Sequence, residues 1–409
     1  MQIQNTQDSI GGGTSSIITE IGRELREAFR RLIEAVPGSP ARPMQLAETL
    51  GLKKDLSSRV FTATRTREPL AVAHLMPGPE ALRRLVAAAR KKRVPADVLA
   101  RAEAAISGFD ELIRDVAGDR AALDGIIGAW LPDAREKVEM LAKQAVYRGA
   151  SVIKGCASET YLAVGLLHPC SDGKHLDGAV IETHIGVRRL NANAVVKFAT
   201  HRIHAPTENA PLTLDGEPIQ SSSDVLLPSL CAEPIGHMTH RQQGNVTHFL
   251  LGDCDVGVRS AVNLTIGFLQ PCCLTRYQCP TAERRKRGTS VDILVPTRQL
   301  IMDTLLHDDA YPGSEPSMFM YDTSTEGVAD VNDPARFVDR LSLTARAEFI
   351  GRGPESMRIS EFPQYVELIE HVCKKRNWDA RKFRAYRCRV AYPVYGSQVN
   401  MTFDAPPSA

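Results

Sequence analysis

The chain has 409 residues, of which 43% are hydrophobic and 24% charged, and its formal net charge is +2. That length exceeds one ordinary core, so two or three domains are expected from a composition typical of globular proteins. No apolar run reaches the roughly 18–20 residues a membrane-spanning helix needs, and "MQIQNTQDSIGGGTSS" lacks the basic start and apolar stretch of a signal peptide.

Residues 1–16 are read as a disordered lead-in, with "GGGTSS" as linker. Ile18, Ile21, Leu25, Phe29, Leu32 and Val36 then recur every three or four residues, which predicts a helix with one apolar stripe. "PGSPARP" ends it, because Pro37 and Pro40 cannot continue a helix and Gly38 accepts a left-handed turn. A second, short helix is predicted over Pro43–Leu50, closed by Gly51. From Pro79 to about Arg148 four alanine-rich helical segments follow, divided by Pro95, Gly118 and Pro132, and they are expected to act as a connector or dimerisation bundle.

After about Ser151 the texture changes. "TYLAVGLLH", "GAVIETHIGVRRL", "AVVKFATHRI", "NVTHFLLGD", "AVNLTIGFL" and "VDILVPTRQLIMDTLL" read as strands, separated by turns such as "SDGKHLDG" and "GDCDVG". One late helix, "FPQYVELIEHVCKKRNW", precedes two closing strands, "RAYRCRVAY" and "SQVNMTF". The predicted fold class is therefore multidomain: an all-α N-terminal part and an α+β C-terminal domain with a mainly antiparallel sheet, a sandwich or curved half-barrel. The boundaries are 17–75 for a helix-turn-helix domain, 76–150 for the helical connector and 151–409 for the β-rich domain.

Charge is unevenly spread. Between Gly51 and Pro95 eleven basic residues face three acidic ones, a balance of +8 that leaves −6 for the remainder. A basic segment on an otherwise acidic chain points to a polyanion contact there.

The stretch "QLAETLGLKKDLSSRVFTATR" carries the motif. Two helices crossing over a tight turn need a small residue at their contact and a glycine at the turn, here Ala47 and Gly51. Leu46, Leu50, Leu52, Leu56 and Val60 would form the shared apolar face. The second helix then presents Lys53, Lys54, Asp55, Ser58, Arg59 and Thr62 outward, residue types suited to base edges and phosphates, with Asp55 able to cap it.

From about Glu24 to Arg67, roughly a tenth of the chain, the sequence resembles the helical part of bacterial winged-helix repressors of the multiple-antibiotic-resistance and isocitrate-lyase-regulator families. The shared elements are "REAFRRLIEAV", a proline- and glycine-containing turn, "MQLAETLGL" and the helix that follows. The resemblance implies that this last helix enters the major groove of double-stranded DNA. Arg59 and Lys54 would meet bases or nearby phosphates, Ser58 and Thr62 would make short polar contacts, and Lys53, Arg65 and Arg67 would meet phosphates. It also implies a wing, for which "LAVAHLM" is the available strand. Ser57 stands where those families place a buried aliphatic residue. The run "RRLVAAARKKR", Arg83–Arg93, is either a second backbone contact or a solvated face.

Other constellations are weaker. The pairs His201/His204 and His237/His240 lack zincin spacing and its glutamate. "QPCCLTRYQC" gathers Cys272, Cys273 and Cys279 with no second pair nearby, so it reads as coincidence. The nine cysteines, including Cys231, are expected as reduced thiols of a cytoplasmic protein, packed as small hydrophobes. "ERRKRG", Glu283 to Gly288, is a basic turn between strands, either a solvated loop or a second phosphate contact. His307, Asp308 and Asp309, followed by Asp322, Glu326, Asp330 and Asp333, form the best acid–base candidate, although such acids also cap turns.

The resulting expectation is a transcriptional regulator that binds double-stranded DNA, pairs as a dimer and uses its C-terminal domain to sense a small molecule or protein, with no cofactor, metal or membrane. An enzyme working at His307 and Asp308 is the first alternative, and a protein-interaction or assembly protein the second.

Overall fold

A computed structural model describes residues 2–202, 209–227, 238–278 and 285–407, with residues 2–12 and 133 as backbone only. His204, Cys231, His237, Cys279, Glu283 and Arg284 lie outside the described residues. The chain divides into two compact units, Met1–Glu139 and Met140–Ala409. No helix among the described residues is long and apolar enough to cross a membrane.

The first unit is helical: α1 (Gln2–Ala35), α2 (Pro43–Leu50), α3 (Lys54–Arg65), α4 (Pro69–Leu75), α5 (Pro79–Lys91), α6 (Ala96–Glu111), α7 (Arg120–Gly128) and the start of α8 (Pro132–Lys154). The stretch expected as a lead-in thus belongs to α1. The stripe read from the sequence is the buried one, since Ile18, Leu25, Phe29, Leu32 and Val36 are almost fully covered. One core takes in residues from α1 through to the start of α8. The segments expected as a separate connector belong to it, with Leu82, Leu85, Val86 and Ala89 of α5 packed beside Leu99, Ala102, Ile106 and Phe109 of α6.

Where the resemblance implies a wing strand, the chain forms α4. Pro69 suits the first helical turn, the Glu68 carboxylate accepts the Leu70 amide at 3.3 Å, and Leu70, Val72 and Ala73 are buried. A short apolar run carries no decisive period, and here the cap decides. α4 lies hard against α1: a Cβ on Gly22 would stand 2.1 Å from the Pro69 carbonyl oxygen. Among the described residues this unit has no strand.

The second unit contains β1 (Cys156–Pro169), β2 (His175–Arg189), β3 (Lys197–His201), β4 (Met238–Gln243), β5 (Val246–Leu251), β6 (Val262–Thr275), β7 (Lys286–Asp292), β8 (Thr297–His307), β9 (Ser317–Asp322), β10 (Ala347–Arg352), α9 (Tyr365–Lys375), β11 (Phe383–Ala391) and β12 (Ser397–Asp404). A six-stranded sheet runs β10-β11-β8-β1-β2-β6, and two three-stranded sheets run β7-β12-β9 and β3-β5-β4. The large sheet is mixed, because β1 and β8 are parallel while its other pairs are antiparallel. The stretch read as one strand over 291–306 is two, β7 and β8, in different sheets. Pro296 stands between them, and it has no N–H for a ladder.

Strand alternation gives the large sheet two different faces. Leu162, Val164 and Leu166 of β1 pack with Tyr365, Leu368, Ile369 and Val372 of α9. Tyr161, Ala163 and Leu167 pack the other way, in a core shared with Val399, Met401 and Phe403 of β12. At the centre of the α9 side lies Asp303 of β8, wholly buried. Arg387 of β11 grips it through two nitrogens at 2.8 and 2.7 Å, and the Tyr365 hydroxyl donates to it at 2.7 Å.

Removing one partner of such a pair strands a buried charge. Asp303→Ala should therefore lower unfolding stability by about 3–5 kcal/mol, and Tyr365→Phe by roughly 1.5–3 kcal/mol. Equilibrium urea unfolding followed by circular dichroism measures both. A change below 1 kcal/mol for Asp303→Ala would remove this network from its central place.

Candidate nucleic-acid interface

The turn between α2 and α3 is built by backbone hydrogen bonds that only a left-handed residue permits. Gly51 has φ 65° and ψ 39°. Its N–H reaches the Glu48 carbonyl at 3.3 Å and the Leu52 N–H reaches the Ala47 carbonyl at 2.9 Å, so the last carbonyls of α2 are satisfied. Lys53 then precedes α3 in an extended conformation with no side-chain cap. Asp55, expected as the cap, lies in the first turn, where its charge complements the helix N-terminus.

α3 buries Ser57, Val60, Phe61, Ala63 and Thr64. The opposite side carries Lys54, Ser58 and Thr62 at four-residue spacing with Asp55 and Arg59 alongside, and of these only Ser58 is half-buried. No ion pair is found for Lys53, Lys54, Arg59 or Arg67 among the described residues, so the face keeps its positive charge. Thr62 donates its hydroxyl to the Ser58 carbonyl at 2.9 Å and so faces outward as an acceptor. Arg65 turns back on the protein: it donates to the Ala41 carbonyl at 2.8 Å and its guanidinium lies 5.1 Å from the Phe61 ring centroid. It remains exposed, but part of its donor set is engaged.

Two features were not visible from spacing. Arg120 of α7, 3.1 Å from Asp124, feels the charge of Arg59; burial and that like charge lower its pKa despite the carboxylate. The basic run of α5 is also partly neutralised, since Arg83 pairs with Asp110 and Arg90 with Glu103, both on α6. This favours the solvated-face reading of those two arginines.

Ser57 is fully buried, and its hydroxyl has no hydrogen-bond partner among the described residues.

In the second unit, His307 Nδ1 stands 3.7 Å from the exposed Asp309 carboxylate, beyond hydrogen-bond reach, while Asp308 is engaged by arginines. The His307 ring accepts the Asp309 amide at 3.2 Å through Nδ1 and packs edge-on against His168, with centroids 4.6 Å apart. Burial lowers its pKa. Asp308 is held by Arg352, with Arg384 3.8 Å away. Of the acids that follow, Asp322, Asp330 and Asp333 accept backbone amides of Ser324, Asn332 and Ala335 in turns and a helix cap, and Glu326 stands 3.8 Å from Arg336.

A different group assembles instead. A cavity of about 300 Å³ in this unit is lined by Tyr161, Glu182, His201, Asp292, Thr289 and Gln270 among others. Glu182 stands opposite Ala163 in the β1–β2 register and so shares the face of Tyr161. His201, at the end of β3, brings Nε2 to 3.1 Å from the Glu182 carboxylate, an ion-pair distance without hydrogen-bond alignment. Burial alone would depress His201, but Glu182 outweighs it and holds the imidazole above its usual range. Burial likewise opposes ionised Glu182, and His201 reverses that. Asp292 is raised by burial and by Glu182. His184, stacked 4.1 Å from Tyr161, is pushed down to about 4 by burial and is neutral at pH 7. In the sequence His201 stands out only as half of a His-x-x-His pair.

Ser57→Ala removes an unsatisfied buried hydroxyl and should raise stability by about 1 kcal/mol, read from the urea midpoint, without altering the exposed face of α3. For the cavity, the signs follow from the two shifts. His201, raised, contributes below its ordinary value and loses that contribution as pH rises through the folded value. Glu182, lowered, contributes above its ordinary value and loses it as pH falls. The pair is thus strongest between about pH 4.5 and 6.5. In Glu182→Gln burial is no longer outweighed, so the His201 titration followed by NMR should move below 6.5; an unchanged titration would mean that Glu182 does not set it.

No protein-family model matches the chain, and no curated protein matches it. Among solved structures, one described as a "putative protease" from Parabacteroides distasonis aligns over 61% of this chain and 40% of its own, at 5% identity and a TM-score of 0.24. This chain therefore spans less than half of that protein's length, and a likeness of this size carries no argument about fold or chemistry.

Proposed function

We propose that the protein is a DNA-binding transcriptional regulator, with α3 as the helix that enters the major groove. The observation that carries this reading is the outward stripe of Lys54, Ser58, Arg59 and Thr62, without a carboxylate partner among the described residues and projected by the tight turn at Gly51. Lysine and arginine supply phosphate attraction, and arginine also forms bidentate contacts to guanine. Lys53 and Arg67 flank the stripe as phosphate contacts. Arg65 is a weaker one, because it already donates to Ala41. The helical surroundings of α3, with α4 in place of a wing, put the reading on this one helix. A second copy would extend the contact along DNA, as one short helix covers few base pairs. The cavity at Glu182 and His201 is of the size and polarity that small-molecule sites have, and we assign effector sensing to it.

Fluorescence anisotropy with duplex DNA at two salt concentrations tests the proposal. Each phosphate contact should contribute about −0.9 to the slope of log affinity against log salt. Arg59→Ala should cost roughly 1–3 kcal/mol on preferred sequences, while Lys53→Ala should weaken all sequences alike and flatten the slope by about 1. Absence of binding at low salt would reduce the turn at Gly51 to a packing device.

A further inference from the structure

The hairpin turn joining β1 to β2 meets a bulge in β6. Pairing between β2 and β6 passes from Leu176 with Leu274 to Gly178 with Gln270, so Pro271, Cys272 and Cys273 stand opposite the single residue Asp177. The Asp177 carboxylate accepts the Cys272 amide at 2.9 Å, and Cys272 adopts φ 49°. Bulges of this kind re-aim a side chain. Here the Cys272 thiol reaches not Cys273 but Cys170, 102 residues away in sequence, with the two sulfurs 2.7 Å apart. Both are free thiols. Cys170, Cys272 and Asp177 offer donor atoms within 4.8 Å of one another, and Cys272, His175 and Asp172 form a second such set around the same sulfur.

We propose that Cys170, Cys272, His175 and Asp177 form a binding site for a zinc-class divalent ion. Two thiolates and an imidazole select a borderline-soft metal over calcium or magnesium. A tetrahedral ion with bonds of about 2.0–2.3 Å holds its donors roughly 3.3–3.8 Å apart. Cys272 belongs to both sets, so side-chain rotation that parts the two sulfurs and turns His175 inward would bring the four donors onto one ion. Asp172 has a different place. It accepts the Lys174 and His175 amides at 2.8 and 2.9 Å and contacts His175 Nδ1 at 2.5 Å, which leaves Nε2 as the ring nitrogen for the metal. A carboxylate behind a ligating histidine fixes its tautomer and orientation. All five side chains are partly or fully accessible, so the ion has an entry path. Once bound, it would tie the β1–β2 turn to β6, a link that sheet pairing alone leaves interrupted at the bulge.

The test uses the full chain, stripped with chelator and titrated with zinc(II), then with cobalt(II) as a spectroscopic probe. The expected result is one equivalent of zinc retained through gel filtration, and a thiolate-to-cobalt charge-transfer band with tetrahedral d–d absorption. Cys170→Ser and Cys272→Ser should each lose stoichiometric binding with unchanged circular dichroism. Asp172→Asn should bind about 10–100-fold more weakly, and Cys273→Ser should bind as the unaltered chain does. If a cysteine variant fails to fold, His175→Ala, at the surface turn, must show the loss. Wild-type binding by Cys170→Ser or by His175→Ala would overturn the site. So would a cobalt spectrum without thiolate charge transfer, or a Cys170–Cys272 disulfide that accounts for both thiols with no zinc bound.

Discussion

Asp303 lies in the middle of β8, the strand that joins β1 on one side and β11 on the other, and it has no contact with solvent. A carboxylate in that position is tolerated only when its oxygens are fully engaged and its charge is met at short range. Arg387 does both from the neighbouring strand and also reaches the Met357 carbonyl at 2.8 Å, while Tyr365 closes the network from α9. The register of β8 with β11 and the seating of α9 are thereby linked through one charged group. With α9 committed to that face, the other face is left for β12 and its neighbours and for the cavity at Glu182.

The second unit handles buried charge a second way around Glu182. There the ion pair with His201 lines open space instead of lying under a helix. His201 Nε2 has no aligned hydrogen bond among the described residues, and Asp292 adds a second carboxyl whose proton is favoured by its surroundings. Groups with pKa values driven apart in one concave place are a recurrent property of ligand and reaction sites. At His307 the Asp308 carboxylate is taken up by arginines, the Asp309 carboxylate stands exposed at 3.7 Å, and the ring packs against aromatic neighbours, so burial lowers its pKa where Glu182 raises that of His201.

In the first unit the decisive constraint is the left-handed Gly51. It ends α2 with its carbonyls satisfied and launches α3 after two residues, so α3 buries one side and shows the other. Among the described residues the cations on that outer side find no carboxylate, whereas Arg83 and Arg90 on α5 do. The contrast separates cations left without a carboxylate from cations paired within the fold, even though both groups belong to one basic stretch of sequence.

Much of this was legible from the sequence because its causes are local. The stripe of α1, the bounds of α2, the stop at Gly51, the outward residues of α3 and most strand segments rest on residues a few positions apart, where helical and strand periods act directly. Short apolar runs were not decidable that way: "LAVAHL" became α4 through the Glu68 cap, and 291–306 split at Pro296. The parallel pairing of β1 with β8, the single core of the first unit, the burial of Ser57, the meeting of Glu182 with His201 and that of Cys170 with Cys272 were decided by tertiary structure alone. Each depends on register or packing between segments distant in sequence, and no periodicity within a segment specifies which distant partner it will meet.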